Sequence, residues 1–178
     1  MDLLDGFDYS TDKYLDNRIL VSAQVWRKTE WLEKVLPLLP YILAVEKVLQ
    51  IYPIEFRFAS LRSFEGLAYE GGRYAEIDIK GDIETIKTTI AHEAIHCLQF
   101  QTKRCFHKDG EMFWEGKVWK CPRGLKGYDA YRAEPHEVEA YKYDVLVKEA
   151  AEELLKESEC QQNIITTKRR PSGAQTTT

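Results

Sequence analysis

The chain lacks a cysteine framework. Its four cysteines include no C-x-x-C pair, so neither a set of disulfides nor a paired-cysteine zinc site is indicated. Four residues could in principle enclose a second zinc ion: Cys97, Cys105, His107 and Cys121. Because their spacing is irregular, we interpret the cysteines as free thiols. Free thiols are typical of a reducing compartment, so we expect a cytoplasmic location.

The chain also lacks a long apolar run and an excess of basic residues. No window is apolar enough to cross a bilayer, and the acidic N-terminus has no basic segment followed by an apolar one, so neither a membrane span nor a secretory signal is predicted. The net charge of −4 argues against a general nucleic-acid binder, and we interpret the basic cluster 168–170 as part of a solvated tail. With 178 residues, of which 44% are hydrophobic and 30% charged, a single globular domain is expected.

The most informative motif is the segment 92–96, which reads HEAIH and matches H-E-x-x-H. On a helix, histidines four residues apart project from one face about one turn apart, so their ring nitrogens can reach a single Zn²⁺. Glu93 lies beside them, where its carboxylate can act as general base. The motif predicts His92 and His96 as zinc ligands and Glu93 as the catalytic residue; the alternative is a polar helix face with two histidines and no metal.

The neighbouring residues predict a strand followed by a helix. Residues 74–80 alternate between polar and apolar, which is typical of a half-buried strand. Gly81 and Asp82 then provide a break and an N-cap. An apolar stripe follows at steps of three or four residues, formed by Ile83, Ile86, Ile90, Ala94 and Cys97. Both histidines lie off this stripe, as a helix needs if it is to pack by one face and bind a metal by another.

A catalytic zinc site needs a third protein ligand, and the sequence offers several. The metzincin continuation is excluded because Gln99 and Thr102 stand where its glycine and third histidine belong. In SprT-like proteases the third ligand is a histidine from a loop after the helix, and His107 could take this role. Its separation from the H-E-x-x-H motif is short for that family. Other candidates lie in the segment 131–141, where Pro135 suits the first turn of a second helix.

Two further segments give the chain a resemblance to a known group of enzymes. Residues 131–140 follow the pattern Y-x-x-x-P-x-E-x-E-A, and residues 114–117 read W-x-G-K. Together with HEAIH and Gln99, they resemble the small HExxH metallopeptidases often encoded by bacteriophages. In related gluzincin-type families the ligand glutamate precedes a small residue as E-x-x-A, which implies Glu137, three positions before Ala140, as the third zinc ligand.

Other polar residues of this segment receive secondary roles. Glu139 is two positions from Glu137, so on a helix the two side chains point about 200° apart and cannot reach one ion; we place Glu139 near the site but outside the ligand set. Glu134 and His136 are weaker candidate ligands. Three tyrosines are candidate donors to a developing oxyanion, although core or surface roles are common for this residue; they are Tyr131, Tyr141 and Tyr143.

The resemblance implies an α+β fold: a minimal zincin-like domain whose short, antiparallel-containing sheet packs on the HExxH helix and on a second ligand-bearing helix, with N-terminal helices. We expect this domain over residues 1–160 and a polar C-terminal tail over 161–178.

Periodicity predicts the remaining elements. Residues 17–51 read as two helices broken near Pro37 and Pro40. A three-stranded sheet is predicted from segments 54–58, 64–70 and 73–80, with a hairpin turn at Gly71-Gly72, and a smaller hairpin from residues 113–119. In the second ligand helix the predicted apolar line consists of Val138, Val145, Leu146, Ala150 and Leu154.

The predicted function is hydrolysis of peptide bonds by a zinc-dependent peptidase, with Zn²⁺ as cofactor and a protein or peptide as substrate. An extended substrate would pair with an exposed edge strand, for which residues 74–80 are the candidate. We expect no nucleic-acid or membrane partner, and we hypothesise a protein partner for the C-terminal tail. The alternative is a structural or binding protein of the same fold, such as a phage virion or regulatory component, with weak or no peptidase activity; its location would be the host cytoplasm or the virion.

Overall fold

The computed structural model of the protein describes residues 12–61 and 64–168, with only the backbone described after residue 161. The fold is α+β, as predicted, and consists of a five-stranded mixed sheet, a three-stranded antiparallel sheet and six helices within these residues. No helix in the described part of the chain combines the length and the apolar character needed to cross a bilayer.

The larger sheet has the strand order β1-β2-β3-β5-β4. Its strands are β1 (Lys13–Asp16), β2 (Ile19–Val21), β3 (Glu55–Ala59), β4 (Gly66–Ala68) and β5 (Tyr74–Asp78). The three central strands β2, β3 and β5 are parallel, whereas β1 and β4 pair antiparallel with their neighbours at the two edges. The predicted number of three strands is therefore wrong, because the two strands closest to the N-terminus were not recognised.

The smaller sheet consists of β6 (Cys105–Lys108), β7 (Glu111–Trp114) and β8 (Lys117–Val118). The predicted hairpin between residues 113 and 119 is confirmed as β7 and β8. The helices are α1 (Ala23–Trp26), α2 (Thr29–Val35), α3 (Leu38–Leu49), α4 (Ile83–Gln101), α5 (Gly127–Arg132) and α6 (Pro135–Lys168).

The prediction of two helices over residues 17–51 is wrong at its N-terminal end. Residues Ile19–Val21 form β2, which is fully buried because it lies between β1 and β3. A short apolar run of this kind is typical of a strand buried on both faces and cannot be distinguished from a buried helix by periodicity. The predicted break at Pro37 is confirmed, but Pro40 lies in the first turn of α3, where proline needs no amide hydrogen bond.

The hairpin of β4 and β5 brings the sheet against α4. The predicted turn at Gly71-Gly72 is confirmed, and both glycines have positive φ angles of 97° and 65°. Residue 72 has a second reason to be glycine, because a Cβ atom there would lie 2.3 Å from the Cys97 carbonyl oxygen of α4. Because β5 lies between β3 and β4, the prediction that residues 74–80 form an exposed edge is wrong; the edge strand is β4.

Helix α4 begins as predicted. Asp82 is its N-cap, and its carboxylate accepts a hydrogen bond from the backbone N–H of Thr85 at 2.7 Å. Four residues of the predicted apolar stripe are fully buried in the core between the sheet, α3 and α6: Ile86, Ile90, Ala94 and Cys97.

Helix α6 begins at Pro135 as predicted, but its apolar face was assigned wrongly except at Leu154, which packs against the core. Val138, Val145 and Leu146 are 53%, 51% and 57% exposed, whereas the core contacts are made by Ala140, Val147 and Ala151. The two alanines present little bulk, so α6 packs closely against α3 and α4. The helix continues through Lys168, so the predicted domain boundary at residue 160 falls inside it, and residues 169–178 of the predicted tail lie outside the described residues.

Candidate metal centre

Three side chains from two helices converge on one point beneath the cleft. His92 and His96 project from α4 with their Nε2 atoms 3.1 Å apart, and Glu137 projects from the first turn of α6. Glu137 Oε1 lies 3.2 Å from His96 Nε2, and Glu137 Oε2 lies 3.5 Å from His92 Nε2. All three side chains are buried, and together they form a group that could hold a metal ion.

The geometry of this group fits a small cation. Two ligands at about 2.0–2.1 Å from a tetrahedral ion stand about 3.3–3.4 Å apart. The two histidine Nε2 atoms are 3.1 Å apart, and each faces a different oxygen of the Glu137 carboxylate, His96 at 3.2 Å and His92 at 3.5 Å. Glu137 Oε2 is buried without a hydrogen-bond partner among the described residues. A buried carboxylate oxygen without a donor is costly, and a cation at the convergence point would satisfy it.

The outer nitrogen of each histidine has a hydrogen-bond acceptor. His92 Nδ1 faces Asp144 Oδ2 of α6 at 3.3 Å, and His96 Nδ1 faces Gln99 Oε1 at 2.9 Å. Each Nδ1–H can therefore donate outward, which leaves the lone pair of each Nε2 directed at the convergence point. This is the tautomer that a metal-binding histidine needs.

Neighbouring side chains hold Glu137 in its ionised form. Burial alone would raise the pKa of the Glu137 carboxyl, but the facing His92 and His96 and the nearby Tyr131 outweigh burial and hold its pKa well below the usual range. Glu137 is thus an anion at neutral pH, which is the state required of a metal ligand.

Glu93 lies beside the ligands and against the edge strand β4. Burial raises the pKa of the Glu93 carboxyl, against the opposing effects of His96, His92 and the backbone of Ala68. Gly66 makes room for this side chain, because a Cβ atom at residue 66 would lie 2.6 Å from Glu93 Oε1. The position of Glu93 therefore depends on β4 as well as on α4.

A cleft of about 990 Å³ opens beside these residues. It runs between β4, α4, α5 and α6, and both His92 and Glu93 line it. Of the three tyrosines considered as oxyanion donors, Tyr131 and Tyr141 line the cleft. Tyr143 is not among the lining residues, and the ammonium group of Lys142 lies 4.8 Å from its ring.

Several candidate ligands lie outside the group. His107 is half-exposed on β6, and its Nδ1 is 3.9 Å from Glu70, so it does not join His92 and His96. Glu139 points away from Glu137, as expected, toward Gln99 and Arg104.

The two weaker candidates form a contact of their own next to Glu137. His136 Nε2 lies 3.5 Å from both Glu134 and Glu137, and burial lowers the pKa of His136 to about 4, so it is neutral at pH 7. Its Nδ1 has no hydrogen-bond partner among the described residues.

The cysteines add no second metal site within the described residues. All four are free thiols; Cys97 and Cys105 are buried, and Cys121 and Cys160 are exposed. Within the described residues, the group of potential metal ligands that comes together is His92, His96 and Glu137, and it includes no cysteine.

Comparison of the chain with protein-family models, with curated proteins and with solved structures returned no match.

Proposed function

We propose that this protein is a zinc-dependent metallopeptidase, a hydrolase of peptide bonds in which Glu93 is the general base. The observation that carries the proposal is the buried convergence of His92, His96 and Glu137, with Glu93 beside them at the wall of an open cleft. Two imidazoles and one carboxylate are a typical ligand set of catalytic zinc, which keeps its fourth position for water or substrate.

The proposed reaction follows from the groups around this point. Zn²⁺ in this position would lower the pKa of its bound water toward about 7 and would polarise the carbonyl group of a substrate. Glu93 takes the proton from the attacking water and delivers it to the nitrogen of the leaving amine. Because Gly66 leaves the space that the Glu93 carboxylate occupies, the position of this carboxylate does not depend on the substrate.

The edge strand β4 supports a peptide as the substrate. It borders the cleft, it pairs with β5 on one side, and the described residues provide no strand on its other side. An extended peptide could pair with this free edge and so bring a backbone carbonyl toward Glu93. This replaces our expectation that residues 74–80 are the pairing strand.

The surroundings of Glu93 also favour an enzyme over a structural or binding protein of the same fold. A scaffold needs the three ligands to hold its metal but has no use for an additional buried carboxylate. Burying a carboxyl group is unfavourable, and this carboxyl is accommodated by a glycine that offers it space.

The test is the substitution Glu93→Gln, which keeps the size of the side chain but removes its ability to accept a proton. The variant should bind one Zn²⁺ per chain, as the wild-type protein should, and lose on the order of 10²-fold or more in cleavage of a peptide found by a broad screen. Zinc content is measured by elemental analysis, and the exposed Glu149→Gln variant on α6 serves as control. Unchanged turnover would overturn the catalytic role of Glu93, and a zinc-loaded protein that cleaves no peptide would favour the structural alternative.

A further inference from the structure

We infer that Gln99 is a positioning residue that sets the tautomer and the ring orientation of His96 for metal binding, and that Glu139 and Arg104 hold Gln99 in place. The inference rests on the proposed function, since it concerns the same metal. It adds to that function a connected set of hydrogen bonds that extends from His96 to the smaller sheet.

The amide group of Gln99 is fully hydrogen-bonded. Its side chain is completely buried, its Oε1 lies 2.9 Å from His96 Nδ1, and its Nε2 donates to the His136 carbonyl oxygen at 3.1 Å and to Glu139 Oε2 at 2.9 Å. Three hydrogen bonds to three different groups leave the side chain one orientation.

The chemistry of these partners fixes which end of the amide faces His96. A carbonyl oxygen and a carboxylate can only accept, so they require the NH₂ group of Gln99 on their side. The Oε1 atom must then face His96, and because an amide oxygen can only accept, His96 Nδ1 must carry the proton. The lone pair of Nε2 is thereby left for the metal, without any contact between Gln99 and the metal itself.

Glu139 is held in turn by Arg104. The guanidinium donates from Nη1 to Glu139 Oε2 at 3.0 Å and from Nη2 to Glu139 Oε1 at 2.9 Å, a paired geometry that fixes the carboxylate in its plane. The same Nη2 donates to Glu115 at 2.8 Å, and the Arg104 guanidinium lies 4.8 Å from the ring of Trp114. The smaller sheet is thus connected to His96 through Arg104, Glu139 and Gln99.

The test compares two substitutions of the same type on the same helix. Gln99→Leu removes the acceptor for His96 Nδ1–H, and we expect the dissociation constant for Zn²⁺ to rise about 10- to 100-fold. The matched control is Gln101→Leu. Gln101 also has three hydrogen bonds, accepting from Tyr52 N at 2.9 Å and donating to the carbonyl oxygens of Tyr52 and Gly72, but it touches no ligand.

Zinc affinity is measured by competition with a chelator of known affinity, and the melting temperature of each metal-free variant reports the purely structural effect. The expected result is that only Gln99→Leu weakens zinc binding. Wild-type affinity in Gln99→Leu, or an equal loss in both variants, would overturn the inference and leave the proposed function intact. A wild-type chain that binds no Zn²⁺ would overturn both.

A second variant covers the case in which Gln99→Leu does not fold. Glu139→Ala leaves the contact between Gln99 and His96 in place but removes one acceptor from the Gln99 amide, so the affinity for Zn²⁺ should fall by a smaller factor, up to about tenfold. Unchanged affinity in this variant would overturn the role of Glu139 in holding Gln99.

Discussion

At the scale of the residue, Gly66 determines where the Glu93 carboxylate can lie. Gly66→Ala would bring a methyl group within 2.6 Å of both Glu93 and Thr89, so the Glu93 side chain or strand β4 must move. We expect a fall in kcat/KM of about 10²-fold, because a shift of about 1 Å in a catalytic group can cost that much. Zinc content should stay at the wild-type value, since Gly66 does not touch the ligands.

The control for this variant is Gly81→Ala. Gly81 also lacks a positive φ, and a methyl group there would meet Thr85 at 3.2 Å, a contact that a small adjustment relieves. Peptidase activity and zinc content are measured for both variants. Full activity in Gly66→Ala would mean that Glu93 does not depend on the space at Gly66.

The cysteines give a second prediction at this scale, which tests burial. Iodoacetamide should label Cys121 and Cys160 in the folded protein and leave Cys97 and Cys105 unlabelled, because the latter two are buried and burial raises the pKa of Cys105 to about 11. The measurement is mass spectrometry of peptides from labelled native and denatured protein. Native labelling of Cys97 as fast as Cys121 would contradict the packing of α4 on the sheet.

The grouping of His92, His96 and Glu137 could be expected from sequence because the H-E-x-x-H spacing is local and because a family resemblance pointed to Glu137. Gly66 could not be recognised in this way. Its importance arises from a contact between β4 and α4, and a glycine without positive φ leaves no turn signature in the sequence. The same holds for Asp144, whose contact with His92 depends on how two helices pack.

At the scale of the element, an ion-pair network joins α4 to α6 beside the core. Lys87 lies 2.7 Å from Glu152, and Lys148 lies 2.7 Å from Glu84 and 3.3 Å from Glu152. The network holds the pKa of Glu152 below its usual range, the hydrogen bond from Lys87 being the largest cause. It therefore favours the packing of the helix that bears the histidines against the helix that bears Glu137.

We predict that Glu152→Gln lowers the free energy of unfolding at pH 7 by about 0.5 kcal/mol, a value typical of partly solvated pairs. Because the pKa of Glu152 is lower in the folded state, its contribution is present above the unfolded pKa near 4.5 and is lost as the pH falls through the folded pKa. Urea unfolding at pH 7 and near pH 3 should give a larger difference between variant and wild type at the first pH. An equal difference at both would show that charge is not the cause.

Local sequence signals predicted the elements that begin with a clear cap or end in a clear turn. They failed where the packing between elements determines which residues are buried. Asp82 and Pro135 marked the starts of α4 and α6, and Gly71-Gly72 marked a hairpin. The predicted apolar line of α6 included Val138, Val145 and Leu146, which are exposed, whereas Ala140, Val147 and Ala151 lie in the core. Which face of an amphipathic helix is buried depends on the neighbour it meets, and periodicity alone does not contain that information.

At the scale of the whole molecule, the candidate metal site lies where two helices distant in sequence meet. His92 and His96 come from α4, and Glu137 comes from α6, with the smaller sheet between them along the chain. A cation shared by the two helices would connect the N-terminal part of the fold to α6. Without a cation, Glu137 Oε2 is buried with no hydrogen-bond partner among the described residues. Metal binding and folding should therefore be coupled.

Zinc removal should consequently lower the stability of the whole domain. Free Zn²⁺ at about 1,000 times its dissociation constant stabilises the folded state by about 4.1 kcal/mol, if the unfolded chain binds none. In a chain of this size each kcal/mol shifts Tm by about 2–4 °C, so a rise of roughly 8–16 °C is expected on adding zinc to the chelated protein. Calorimetry with and without chelator measures the shift, and Glu137→Gln, which weakens one ligand, should reduce it strongly. A Tm that is the same with and without zinc would contradict a metal shared between α4 and α6.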